Sequence, residues 1–234
     1  LECADLAALS RHPTKAVTGH RTPKSSPNLI MTSAILTIAL TVLLFAPGCA
    51  TRLGPQPVRA ERINPPAPPV VQNNSPLQVP LKSPRLIVQK AARKLLVYSN
   101  NKLVRTYHVG LGLSPVGDKV RSGDHRTPEG DYYVFTKNDK SAFYLSLGIS
   151  YPNIVHADRG LRDGLITRAQ YDAIVRANKA KKTPPQNTRL GGTIYIHGNG
   201  ASSNWTWGCV ALEDSDIREL FNAISVGTPV RIEP

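Results

Sequence analysis

The sequence predicts an α+β fold, mostly β, for a C-terminal domain of residues 85–234. Short runs of β-branched, leucine and aromatic residues recur from Leu86 to the C-terminus. Only two helical signals interrupt them, and a proline-dense stretch lies just before the pattern begins.

The strands come first. Leu86-Ile87-Val88 and Leu95-Leu96-Val97-Tyr98 are strand-like runs. Asn100 and Asn101 follow, and asparagine tolerates positive φ, so a two-residue hairpin turn is expected there. Its partner strand is residues 103–109. Further strands are expected at 132–136, 143–149, 193–196, 210–212 and 229–232. Thr167 with Gln170 three residues later forms a capping box, which opens a helix running to about Lys179. A second helix starts at Asp216, with Ile217, Leu220, Phe221 and Ile224 at helical spacing. The stretch 158–188 reads as an insertion, either a lid or a surface hairpin.

Upstream of the domain the composition changes repeatedly. Residues 1–30 are polar, begin with Leu1 and contain no methionine, whereas the single methionine is Met31. Translation is therefore expected to start at Met31, leaving 1–30 as a non-native or untranslated leader; the alternative is a long leader whose Arg21 and Lys24 serve as the basic n-region. Residues 34–46 form an apolar run of 13 residues. A helix spanning a bilayer needs ~20, so the run suits the core of a signal peptide. Ala46-Pro47-Gly48-Cys49 follows and resembles a lipobox, which makes Cys49 the expected lipidation site and residues 31–49 the export signal. Residues 50–84 carry nine prolines. Such a segment is extended and semi-rigid, a tether that holds a domain away from a membrane.

The formal charge is +13, which suits anionic partners. No run of lysine or arginine exceeds two residues and no aromatics interleave with them, so a nucleic-acid stripe is not expected. The three cysteines, Cys3, Cys49 and Cys209, are far apart. His108, His125 and His156 are equally scattered. Neither set has metal-ligand spacing, so no metal and no cofactor is expected.

The chemistry-bearing stretch runs from Ile194 to Leu212. An apolar strand ends in His197-Gly198, a loop of small and polar residues follows, and Thr206-Trp207-Gly208-Cys209 leads into another apolar strand. Strand ends of this kind bring an imidazole and a thiol together. A free thiol is mostly protonated near neutral pH, and a histidine in reach takes its proton and later passes one to the leaving amine. A backbone carbonyl orients the ring through Nδ1–H. Taken alone, Cys209 also fits an inert buried cysteine, and His197 a satisfied core histidine.

These residues resemble the signature of the L,D-transpeptidase catalytic domain family, the YkuD type, in which His-Gly precedes Ser/Thr-x-Gly-Cys. The resemblance covers residues 85–234. Gly123-Asp124-His125-Arg126-Thr127-Pro128-Glu129-Gly130 is similar to the family's TPxG turn, Ile149-Ser-Tyr-Pro-Asn153 to the segment bordering its cleft, and Gly227-Thr-Pro-Val-Arg-Ile232 to its closing strand. The resemblance implies a β-sandwich-like domain with a few helices and a cysteine nucleophile, Cys209, in an open cleft. His197 is then the base and Gly198 the carbonyl that orients it. Trp207, Gly208 and Cys209 supply oxyanion-hole N–H groups, Thr206 brings a loop-shaping or substrate-contacting hydroxyl, Tyr151 contacts substrate, and Trp205 and Trp207 either line the cleft and stack on substrate or pack as core beside the motif. It implies action on peptidoglycan tetrapeptide stems through an acyl-enzyme, giving 3→3 cross-links or attachment of a protein to the wall. The setting is the periplasmic cell envelope, with a lipid anchor in the membrane. Two alternatives stay open: an amidase or carboxypeptidase whose acyl-enzyme goes to water, and a non-catalytic wall-binding lipoprotein. The sequence departs from the pattern at Trp207, where histidine is frequent, and at Val210-Ala211, where Ile-Arg is frequent. Arg126, Arg159 or Arg162 are the candidates to replace that arginine's charge.

Overall fold

The computed structural model describes residues 76–234. The leader, the export signal with Cys49, and most of the tether lie outside the described residues. None of the described helices is long and apolar enough to cross a membrane.

Eight strands form one mixed sheet: β1 Arg85–Gln89, β2 Lys94–Ser99, β3 Lys102–His108, β4 Gly130–Ser141, β5 Tyr144–Ile149, β6 Tyr195–His197, β7 Val210–Ala211 and β8 Pro229–Glu233. Their order across the sheet is β3-β2-β1-β8-β4-β5-β6-β7. Asn100 and Asn101 turn the β2–β3 hairpin with φ of 47° and 60°, the paired positive values that two-residue hairpins need. β4 joins two half-sheets. Its first residues pair with β8, the rest pair with β5, and the register shifts between Val134 and Thr136. Such a bulge bends a strand and lets one sheet fold over itself. Just past β3, Gly110 and Ala211 of β7 exchange backbone hydrogen bonds of 3.0 and 2.8 Å, so the two edges of the sheet meet.

The core lies between the half-sheets. Alternation fills it with Leu86, Val88, Leu95, Val97, Leu147, Ile149, Ile194, Ile196, Val210, Leu212, Val230 and Ile232. Helix α3, Asp214–Ala223, adds Ile217 and Leu220. It begins two residues before the position expected. The tether ends earlier than 84: Leu77 and Leu81 pack on the core, and the Leu77 N–H donates to Glu219 Oε1 at 2.7 Å.

Two helices fill the insertion. Helix α2, Arg168–Lys179, carries the Thr167–Gln170 capping box in full. Helix α1, Ile154–Arg162, was not expected. Its N-cap is Asn153, whose side chain accepts the His156 N–H. A small core of Ala157, Ile166, Ile174 and Leu190 joins the pair. Tyr133 Oη, donating to Lys182 O at 2.6 Å, ties the insertion to the sheet.

Candidate active site

Strand pairing sets the site. Ile196 pairs with Val210 and His197 with Ala211 in a parallel ladder, so paired residues share a face. Ile194, Ile196, Val210 and Leu212 belong to the core. By alternation Tyr195, His197, Cys209 and Ala211 occupy the opposite face. Across β5 the direct partner of His197 is Ser146, a buried hydroxyl on that same face. Its signal was legible: in Tyr144-Leu-Ser-Leu-Gly-Ile149, Ser146 and Gly148 alternate with apolar residues.

The imidazole is fixed on one side and bare on the other. His197 Nδ1 lies 2.7 Å from the Gly198 carbonyl oxygen. With the proton on Nδ1 donating to that oxygen, Nε2 carries a lone pair. Nε2 is buried and has no hydrogen-bond partner among the described residues. Burial pushes the pKa of His197 down to about 4, against the opposing effect of the Gly198 bond, so the ring is neutral near pH 7. Phe143 lies 4.7 Å from it, centroid to centroid, and Trp205 5.5 Å in an edge-on contact.

The turn after His197 is laced down. The Gly198 N–H donates to Phe143 O at 3.1 Å, and Leu212 N–H donates to His197 O at 2.8 Å. Asp214 accepts the Asn199 N–H and Glu213 the Ala201 N–H, each at 2.8 Å. A Cβ at 198 would lie 2.5 Å from Asp214 Oδ1, so only glycine fits there without displacing the carboxylate.

Cys209 Sγ accepts the Tyr195 N–H at 3.3 Å and lies 3.6 Å from Thr193 O. An N–H aimed at sulfur stabilises negative charge on it. Nucleophilic chemistry belongs to the reduced thiol of Cys209. Both residues are buried, Cys209 at 0 % and His197 at 1 % exposure.

Several expected roles are corrected by geometry. Tyr151 is fully buried, and its hydroxyl donates to Leu190 O at 2.8 Å, so it does not face substrate. The Thr206 hydroxyl is buried too. It donates to Cys209 O at 2.7 Å and accepts the Gly208 N–H at 3.2 Å. Of its two expected roles Thr206 therefore takes the loop-shaping one, and the Gly208 N–H is engaged by its hydroxyl. Trp205 Nε1 donates to Gly200 O at 3.0 Å while its ring packs on His197. Trp207 meets the ring of His125 at 5.4 Å. Gly208 has φ +125°, and a Cβ there would lie 2.7 Å from Arg126 O. The backbone of the 112–130 loop thus presses directly against the residue before Cys209.

That loop is held by buried charge. Lys90 Nζ donates to Gly117 O and Glu129 Oε1, both at 2.6 Å, and to Thr127 O at 3.1 Å. Asp124 accepts the N–H groups of Val120, Arg121 and Arg126 and pairs with Lys119 at 3.0 Å. Asp118 takes the Glu129 N–H, His156 Nε2 and Arg159 Nη1. Burial raises the Asp118 pKa, but His156, the Glu129 N–H and Arg159 outweigh it and hold the carboxyl well below the usual carboxylate range. Arg159 is therefore committed to the loop, as is Arg126, whose Nη1 donates to Asp118 O at 3.4 Å. Arg162 is exposed beside Asp163. Among the described residues no cluster of three His, Cys, Asp or Glu side chains is arranged to hold a metal.

Comparison with known proteins adds the family. The model of the L,D-transpeptidase catalytic domain, YkuD, matches residues 83–232. No curated protein matches the chain. Among solved structures, an L,D-transpeptidase (residues 123–326) from Xylanimonas cellulosilytica is 15% identical, with 68% of this chain and 64% of that one covered and a TM-score of 0.40. The helical cell shape determining protein Pgp2 from Campylobacter jejuni is 21% identical, with 64% and 47% covered and a TM-score of 0.44. Bd1075 of Bdellovibrio bacteriovorus is 22% identical, with 67% and 50% covered and a TM-score of 0.41. This chain spans about half to two thirds of the length of those proteins. The match of the family model across more than half of the sequence identifies the chain as a member of the L,D-transpeptidase catalytic domain family.

Proposed function

We propose that the reduced chain is a cysteine acyltransferase, an L,D-transpeptidase acting on peptidoglycan tetrapeptide stems. The observation that carries this reading is the shared face of β6 and β7: Cys209 and His197 lie on it together, with the Nε2 lone pair of His197 bare.

The chemistry follows from these groups. His197 Nε2 takes the thiol proton as Sγ attacks the stem's carbonyl carbon. The Tyr195 N–H eases the charge on sulfur, and the N–H groups of Trp207 and Cys209 are the remaining candidates for the oxyanion. The C–N bond breaks, and the amine, a D-alanine in this reading, leaves with the proton from His197. An acceptor amine then attacks the thioester, gives its proton to His197 and releases Sγ. The acceptor is a second stem, giving a 3→3 cross-link, or a protein to be attached to the wall. Export through residues 31–49, a lipid on Cys49 and a proline-rich tether suit work at the cell envelope.

The hydrolytic alternative is motivated by Ala211. It lacks the arginine frequent there, and its backbone is closed against Gly110. Incubating the reduced chain with purified tetrapeptide muropeptides separates the readings. Dimeric products with released D-alanine support transpeptidation. Hydrolysed monomers replace it with the amidase or carboxypeptidase. An unchanged muropeptide pool leaves the non-catalytic wall-binding lipoprotein.

A further inference from the structure

Three rings meet at His197. Phe143 stands at the β4–β5 turn and Trp205 in the loop before Cys209, and their own centroids are 5.7 Å apart. Both are only half-buried, whereas the imidazole between them is 1 % exposed. The two rings are thus part of the histidine's cover. Each is anchored independently of the imidazole: the carbonyl of Phe143 accepts the Gly198 N–H, and Trp205 Nε1 donates to Gly200 O. The same short turn, residues 198–200, is therefore gripped by the backbone of one ring residue and the side chain of the other.

We propose that Phe143 and Trp205 are positioning residues that keep His197 dry, neutral and in one tautomer, so that it serves as base well into acid. This deepens the acyltransferase reading and rests on it for its catalytic meaning. The physical cause is desolvation. An imidazolium between apolar rings loses its hydration and finds no acceptor at Nε2, so the neutral form is favoured. Opposing charge is not the cause. The ionisable groups on the surrounding elements are Tyr195 on β6, Cys209 ahead of β7, Glu213, Asp214, Asp216, Arg218 and Glu219 at and along α3, and Tyr144 beside Phe143. Asp214 and Glu213 point their carboxylates at backbone N–H groups, and Arg218 Nε donates to Tyr144 Oη. The arrangement also gives Trp205 a role other than substrate contact.

The test reads His197 directly. The full reduced chain, labelled at histidine, is titrated by NMR, with His197→Gln used to assign the signal. In the unmodified chain the midpoint is expected near 4, while Phe143→Leu and Trp205→Leu should move it toward the ordinary value of about 6.5, and Trp205→Phe should leave it low. The acid limb of carbapenem acylation should move with it. From pH 8 to pH 5.5 the rate should fall by roughly tenfold in the leucine variants and by less than about twofold in the unmodified chain. A midpoint near 6.5 in the unmodified chain overturns the proposal without any variant. A midpoint that stays near 4 in folded Phe143→Leu and Trp205→Leu overturns it as well. A shifted midpoint without acylation at any pH supports the positioning role and overturns the acyltransferase reading, so the two fail separately.

Discussion

Two regions of this molecule bury polar groups, and they treat them in opposite ways. Around the 112–130 loop the buried lysines are answered. Lys90 reaches two carbonyls and Glu129, and Lys119 pairs with Asp124, which also collects three backbone N–H groups. At the ends of β6 and β7 one nitrogen is left bare: His197 Nε2 has burial and no hydrogen-bond partner. A buried polar atom without a partner costs about 1–3 kcal/mol. The loop is scaffold, and through Arg126 O it presses on Gly208. The strand ends hold the pair proposed to react, whose cost is offset by the well-satisfied packing around it.

The contrast can be broken by substitution. At the strand ends chemistry should suffer and stability should not. His197→Gln is expected to lower the acylation rate by roughly 10²–10⁴-fold while the chain stays folded, checked by acylation kinetics beside thermal melting. In the loop the reverse should hold. Asp124→Asn leaves Lys119 buried without its carboxylate, and denaturant unfolding should show a loss of about 3–5 kcal/mol.

Acid sharpens the contrast. Folded His197 has a pKa of about 4, below its unfolded value of about 6.5. Between these values the unfolded chain binds the extra proton, so stability is full above pH 6.5 and falls as pH drops toward 4. The loss is about 3 kcal/mol in order of magnitude. Asp118 is depressed as a carboxylate, so its contribution is full above the ordinary Asp value of about 3.9 and drains away below it. Unfolding free energy against pH should therefore show two acid losses, and His197→Gln should remove the upper one alone. The smallest expected effect lies between the regions. Thr206→Val removes the hydroxyl joining Cys209 O and the Gly208 N–H, costing about 1–2 kcal/mol by denaturant unfolding.

Much of this was legible in the residues. Every strand announced itself by alternation or an apolar run, Thr167–Gln170 marked its helix start, and Asn100-Asn101 marked the hairpin. The likeness of His197-Gly198 and Thr206-Trp-Gly-Cys209 to the family signature named the family that the model of residues 83–232 identifies. What was hidden depends on packing. Helix α1 has nine residues and follows Pro152, whose neighbourhood looked extended, so only the Asn153 cap betrays it. Tyr151 and Thr206 carry hydroxyls that suit substrate contact, yet tertiary structure buries both. Lys90 and Lys119 are lysines, ordinarily exposed, and nothing local foretells that carbonyls and carboxylates enclose them. Phe143 reaches His197 only because β5 runs beside β6.

The account's centre is that Cys209 sulfur, once reduced, reacts with the neutral His197 as its base. Intact-mass and peptide-mass analysis of the reduced full chain after exposure to a carbapenem tests this most directly. The account predicts one covalent adduct, located on the peptide containing Cys209 and absent from Cys209→Ala. An unmodified mass for the folded, reduced chain, or an adduct that persists in Cys209→Ala, contradicts it.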